Sequence, residues 1–365
     1  MKKIGIITLI GDENFGNRLQ NYALQKKISE YDCDVENLNT NTYFDRNKYL
    51  NKKFVFLRKI KRLIIKLFNC FNIIEFRRRR KFVKFRLKYL NQRDKKISYK
   101  NIKKESSRYD ILIYGSDQIW SPTTSLAFNV ILPIDNLSPK TISYSASFGH
   151  SQIPKCFVDI YKDGLSKLNM ISVRENTGKK ISVELTKRND VEVLVDPTML
   201  LTTKEWNTII EKPLNFEENK KYILCYFLGG MSLKVQNEIQ RVANEFHCNI
   251  IDILNKKSSF YILGPSEFLY LEKNAFLICT DSFHSSVFAI LYNVPFIIFN
   301  RENSKNLMNS RIETLLDNFK IKNRIFDGDR ITQDNLKHDY TEAYKILEKE
   351  RKKSKDFLDK AISMK

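Results

Sequence analysis

Short apolar runs alternate with amphipathic stretches along almost the whole chain. Ile4–Leu9 reads as a strand, followed by a polar loop and a helix from about Asn17 to Tyr31. Asp110–Tyr114, Thr141–Ser145 and Met170–Val173 read as further buried strands, with a helical pattern over Pro154–Leu168. A second series starts near Val193–Val195, with a helix from about Thr203. Strands at Tyr222–Phe227, Asn249–Leu254, Phe276–Cys279 and Phe296–Phe299 then alternate with helices at Leu233–Phe246, Ser266–Lys273 and Ser282–Tyr292. A charged amphipathic helix, Glu342–Ile362, ends the chain and can cross between domains. This alternation predicts an α/β protein with parallel sheets wrapped by helices: two Rossmann-like doubly wound domains facing a cleft. The expected division is residues 1–180, 181–345 and a C-terminal helix 346–365, with the boundary between 175 and 195.

Charge changes the picture in one place. Residues 46–104 hold 23 Lys and Arg against two acids, Glu75 and Asp94, which accounts for the whole net charge of +21. A neutral body therefore carries one basic, helical insert in its first domain. Within it Leu57–Phe71 plots as an amphipathic helix, and Arg77-Arg78-Arg79-Arg80-Lys81 follows. An anionic membrane surface fits this insert, as does a helical hairpin with a solvated basic face. Nucleic acid fits the charge alone, without a recognised motif, so none is expected as a partner.

Six scattered cysteines form no C-x-x-C pair, and Cys225 and Cys279 sit in apolar strands, so reduced thiols are expected. No cysteine–histidine cluster has zinc-ligand spacing, and no metal or cofactor is expected. No apolar run reaches about eighteen residues. Met1–Ile10 is basic then apolar, but Gly11-Asp12-Glu13-Asn14 follows without a small-residue cleavage site, so a first strand is the better reading. The expected location is cytoplasmic.

The candidate chemistry lies just past the strands. Asn14, Gly16, Arg18 and Gln20 follow the first; Gly115, Ser116, Asp117 and Gln118 the second; Ser147 the third; and Arg174 the fourth. In the other half, Gly229, Gly230, Thr280, Asp281, Ser282 and His284 do the same. Thr280 and Asp281 read as helix caps, placing Ser282, Phe283 and His284 in a first turn. Unpaired backbone N–H groups there attract anions, beside an imidazole, a side-chain type whose unperturbed pKa lies close to neutral. That combination suits proton transfer next to a phosphate or carboxylate. Arg174 is open to a surface or an anion-binding reading, and Asp117 to a turn cap or a hydroxyl ligand.

These segments together resemble the polysaccharide pyruvyl transferase family. N-F-G-N-R-L-Q-N-Y-A-L-Q (14–25), Y-D-I-L-I-Y-G-S-D-Q-I-W (109–120), I-S-Y-S-A-S-F-G (142–149), I-S-V-R-E (171–175), V-D-P-T-M-L-L (195–201), T-D-S-F-H-S-S-V-F (280–288) and S-R-I-E-T-L-L (310–316) occur in family order. The resemblance implies a GT-B-like fold and phosphoenolpyruvate as donor. The acceptor would be a sugar of a lipid-linked oligosaccharide or polysaccharide precursor at the inner membrane face, and the product a pyruvate ketal. It further implies His284 as acid or base, Asp117 as base or hydroxyl ligand, and Arg174 as donor clamp. Ser282 and Phe283 flank the donor, with Asn14, Gly16, Gln20, Ser116, Gln118 and Ser147 toward the acceptor. Family members carry Thr-Asp-Arg-Leu-His where this chain has Thr280-Asp281-Ser282-Phe283-His284. The missing arginine leaves its work to Arg18, Arg301 or Arg311, and keeps open a nucleotide-sugar glycosyltransferase of the same architecture. A non-enzymatic scaffold is a third class.

Overall fold

The computed structural model describes residues 1–40, 73–98, 101–122, 133–214, 216–218, 220–301 and 310–364. The expected helix Leu57–Phe71 lies outside the described residues. The chain forms two compact units, Met1–Pro197 with Lys353–Lys365, and Thr198–Lys352.

The first unit contains β1 (Lys3–Ile7), α1 (Phe15–Ser29), β2 (Asp34–Asn39), α2 (Ile73–Tyr89), β3 (Gln92–Lys96) and α3 (Ile102–Ser106). It continues with β4 (Ile111–Tyr114), β5 (Lys140–Ser143), α4 (Val158–Ser166), β6 (Ser172–Val173), α5 (Asn176–Thr186) and β7 (Glu192–Val193). Its sheet runs β3-β2-β1-β4-β5 with every pair parallel. Bridges Ile142–Met170 and Ala146–Val173 attach the parallel pair β6-β7, which is why this unit extends past residue 180. Helices cover both faces of such a sheet, so central strands are apolar throughout; all four residues of β4 are buried.

β3 is the exception. Its sequence, Gln-Arg-Asp-Lys-Lys, has no strand signature, yet it closes one edge of the sheet. Charged, largely exposed side chains keep an edge from pairing with another chain. The basic stretch 46–104 is therefore partly integral to the fold and not wholly a helical insertion. Arg93 of β3 pairs inward with the buried Glu105 of α3 (2.6 Å) and donates to the Tyr109 hydroxyl (3.1 Å).

The second unit contains α6 (Thr203–Asn207), β8 (Tyr222–Tyr226), α7 (Leu233–Glu245), β9 (Asn249–Asp252), α8 (Pro265–Asn274) and β10 (Leu277–Thr280). After these come α9 (Phe283–Leu291), β11 (Phe296–Ile298), α10 (Ser310–Phe319), α11 (Gln333–Leu336) and α12 (Thr341–Ser363). The sheet order is β11-β10-β8-β9, again all parallel. Every residue of α9 is buried, so its apolar run is dictated by position and not by amphipathic patterning. The last helix begins in the second unit and ends in the first, where Tyr31 donates to Asp359 (2.7 Å) and Phe357 packs on Tyr144.

Candidate active site

In open parallel sheets, ligands bind beyond the carboxyl ends of strands where strand order reverses. In the first unit that point lies between β1 and β4. The loop after β4 turns on Gly115, whose φ is +131°; a Cβ there would lie 2.3 Å from the Tyr144 carbonyl oxygen. Asp117 follows with φ +62°, a conformation that costs a non-glycine residue energy and recurs at functional sites.

The Asp117 carboxylate is tightly held. Oδ1 accepts from Arg174 Nη2 (3.1 Å) and Oδ2 from Asn17 Nδ2 (3.4 Å). Arg174 Nη1 donates to Asp196 Oδ2 (2.6 Å), which also accepts from the Ser116 hydroxyl (3.2 Å). Burial alone would lower the Arg174 pKa; the charges of Asp196 and Asp117 outweigh it and keep the guanidinium above its usual range. Arg174 is 4% exposed and its charge is matched by two carboxylates, so it orients Asp117.

Glu175, beside Arg174, is an organiser of the neighbouring loop. Its Oε1 accepts from Phe148 N (2.8 Å), Gly149 N (3.2 Å) and the Ser147 hydroxyl (3.0 Å), fixing the loop after β5. Ser147, Ser116 and Gln20 are fully buried, with polar atoms engaged inside the loops. Gln20 Nε2 donates to Thr8 Oγ1 (3.0 Å), and Gln20 Oε1 accepts from Ser116 N (3.3 Å). These three residues shape the site and do not offer groups outward. Gln118 lies against Gly149. Asn14 is exposed and caps α1 by accepting from Asn17 N (3.0 Å), while Gly16 is buried in the first turn of that helix.

Arg18 stands apart from Arg174. It is fully buried, and one guanidinium nitrogen donates to the Leu9 carbonyl (2.7 Å) and to Asn17 Oδ1 (2.8 Å). Its other two nitrogens, Nε and Nη1, are buried with no hydrogen-bond partner among the described residues. Burial brings its pKa down to about 10; Asp12 works against that shift and Arg86 with it. Asn21, one turn along the same face of α1, is fully buried with both amide atoms unsatisfied. A helix presenting a buried cation and a buried amide with unused donors is built to receive a polar or anionic group. Asn21 was missed in the sequence, although a polar residue three positions after Arg18 on a largely buried helix was a usable signal.

In the second unit strand order reverses between β8 and β10. Asp281 does not cap α9. Its Oδ1 accepts from Leu228 N (2.7 Å) and its Oδ2 from Gly229 N (2.7 Å), tying together the loops after β8 and β10. Arg301 Nε also donates to Asp281 Oδ2 (2.8 Å). Gly229 permits this approach, since a Cβ would meet both Asp281 and Arg301 at 3.0 Å. Ser282 is the N-cap residue of α9, makes no side-chain cap bond and is itself 3% exposed. The rings of Phe283 and His284 meet edge to face with centroids 5.3 Å apart, and the Arg311 guanidinium lies 5.9 Å from the Phe283 ring. The next residue, Ser285, donates to the buried Glu272 (2.6 Å), whose pKa burial pushes well above the usual carboxyl value. The start of α9 thus brings together an imidazole and an aromatic ring with the Arg311 guanidinium near that ring, while Arg301, on the loop after β11, is paired with Asp281. Among the described residues, no cluster of three or more His, Cys, Asp or Glu side chains could hold a metal ion.

No curated protein sequence matches this chain. Among solved structures, a protein described as a UDP-N-acetylglucosamine 2-epimerase from Listeria monocytogenes matches with TM-score 0.50 at 10% identity, over 98% of this chain and 90% of its own. The UDP-GlcNAc 2-epimerase of Methanocaldococcus jannaschii matches with TM-score 0.46 at 14% identity, over 96% and 94%. MurG of Acinetobacter baumannii matches with TM-score 0.44 at 10% identity over the full length of both chains. The Listeria likeness shows the fold, two Rossmann-like units of GT-B-like type, and says nothing of substrate. The profile of the family described as Polysaccharide pyruvyl transferase matches residues 14–303. With most of its length under that profile, both switch-point loops included, the chain belongs to the polysaccharide pyruvyl transferase family.

Proposed function

We propose that this transferase moves the pyruvyl group of phosphoenolpyruvate onto a sugar of a lipid-linked cell-surface polysaccharide precursor at the cytoplasmic face of the membrane. The observation that carries this reading is His284 in the first turn of α9, edge-on to the ring on which Arg311 stacks. Ketal formation needs that combination. A proton delivered to the donor's methylene carbon makes C2 cationic, and one sugar hydroxyl adds there and loses its proton. The C–O bond to phosphate then breaks, phosphate leaves, and the second hydroxyl closes the ring with loss of another proton.

His284 serves as the acid and base of these transfers, a role worth about 10²–10⁴-fold in rate. Arg311 supplies positive charge near it, in place of the arginine that Ser282 replaces. In the first unit, taken by itself, Arg18 with Asn21 offers a separate cationic centre suited to an anionic group. Asp117, oriented by Arg174 and Asn17, accepts a hydroxyl proton.

The test is incubation with phosphoenolpyruvate and lipid-linked sugars, following phosphate release and ketal formation. His284→Ala should remove turnover while the fold is retained. Phosphate release unaffected by His284→Ala, or calorimetric binding of nucleotide sugars in preference to phosphoenolpyruvate, would overturn the assignment. The latter outcome would favour the glycosyltransferase that Ser282 keeps open.

A further inference from the structure

We infer that the outward face of α2 is a docking surface for an anionic lipid bilayer. The inference stands on this helix alone and does not depend on the chemistry proposed above. The inner face of α2 is fastened to α1. Phe82 meets Phe15 at 5.1 Å, Phe85 and Tyr89 pack edge-on to Tyr22, and the buried Arg78 guanidinium lies 4.8 Å from the Phe15 ring. That aromatic seam fixes which residues point away. At 100° per residue, positions 78, 82, 85 and 89 share one side. Phe76, Arg77, Arg80, Lys84 and Leu87 lie toward the opposite side, and all five are exposed.

Two features of that outward side need explaining together. Phe76 is 59% and Leu87 73% exposed, and Ile73 at the helix start is 68% exposed. Large apolar side chains on one solvent-facing stripe mark an interaction surface. The same stripe is densely cationic, and the sole acid of the helix is Glu75, in its first turn. Arg80 lies 5.9 Å from the Phe76 ring, so cation and aromatic ring form one amphiphilic unit. A solvated basic face has no use for exposed phenylalanine and leucine, and a protein-binding apolar face has no use for this much like charge. A bilayer of anionic headgroups over hydrocarbon takes both: arginine and lysine at the phosphate level, apolar side chains below it. The acidic lipids supply the complementary charge.

Vesicles of phosphatidylcholine, alone or mixed in equal parts with phosphatidylglycerol, provide the test on the full chain. The protein should partition onto the mixed vesicles only and be released by salt. Arg80→Glu/Lys84→Glu should lower the partition coefficient by about 25-fold or more, given the contribution of each headgroup-level cation. Lys179→Glu/Lys180→Glu, an exposed pair on α5 with the same change in net charge, should leave it within about twofold. In Phe76→Trp the new indole should blue-shift on mixed vesicles, against the fully buried Trp120 and Trp206. Equal losses in both charge variants, or no shift at position 76, would overturn the inference. So would uptake of RNA without uptake by vesicles, or vesicle binding unchanged while the α2 variant alters the oligomeric state, which would give the face to a second copy of the chain.

Discussion

Replacing Arg18 by methionine should leave the resting protein nearly as stable while removing its response to the anionic donor. The drop from the usual arginine value to about 10, at about 1.4 kcal/mol per tenfold, places about 3 kcal/mol of unfavourable energy on the buried charged form. The sign is set by direction. A cation with a lowered folded pKa is protonated in both folded and unfolded chains at neutral pH, so the whole penalty is present there. It diminishes only as pH rises through the interval between the folded and unfolded values.

Against that relief stand the bonds to Leu9 and Asn17, each worth about 1.5 kcal/mol or more with a charged donor. The two effects offset to within about 1–2 kcal/mol. The donor changes the balance, because an anion paired with Nε and Nη1 stabilises only the wild type. At a hundredfold excess over Kd, ligand adds about 2.7 kcal/mol. For a unit of this size that raises Tm by about 5–10 °C. Scanning calorimetry with and without phosphoenolpyruvate, and with inorganic phosphate as a second arm, reads both quantities. A methionine variant destabilised by more than about 4 kcal/mol that keeps the full ligand shift would refute the argument and make Arg18 a structural residue.

Arg174→Met should behave in the opposite way. It strands the carboxylates of Asp117 and Asp196 in the interior at a cost of about 3–5 kcal/mol, visible as a lower urea midpoint; a change below about 1 kcal/mol would contradict the orienting role. The buried Glu272 has a folded pKa raised above its unfolded one, so its contribution is fully present below about pH 4.5 and is lost as pH climbs through the folded value. Glu272→Gln removes that dependence, and its Tm advantage over wild type should grow between about pH 5 and pH 8; a constant difference would show that the carboxyl is ionised throughout. Gly115→Ala should cost more than about 3 kcal/mol, since its Cβ strikes a backbone carbonyl. Gly149→Ala, whose nearest neighbours belong to the movable Gln118 side chain, should cost about 1–2 kcal/mol for its positive φ; chemical denaturation of the pair should show that order.

What could be read before folding was whatever burial on both faces imposes locally. Central parallel strands must be largely apolar, so β1, β4, β8 and β10 announce themselves, and the residues just past them, Asp117 and His284 among these, fall at strand ends by simple adjacency. Edge position removes that constraint: β3 is written in charged residues because only one side of it is paired, and nothing local distinguishes it from a loop. Electrostatic partnership was equally hidden. Arg174 meets Asp117 and Asp196, far off in the chain, only because β4, β5, β6 and β7 lie side by side. Arg18 shows the converse: the same residue type is fully buried with Asp12 as the acid that acts on it, and among the described residues its Nε and Nη1 have no hydrogen-bond partner. Charge type is written in the residue; whether that charge is already neutralised depends on distances that exist only after the sheet has assembled.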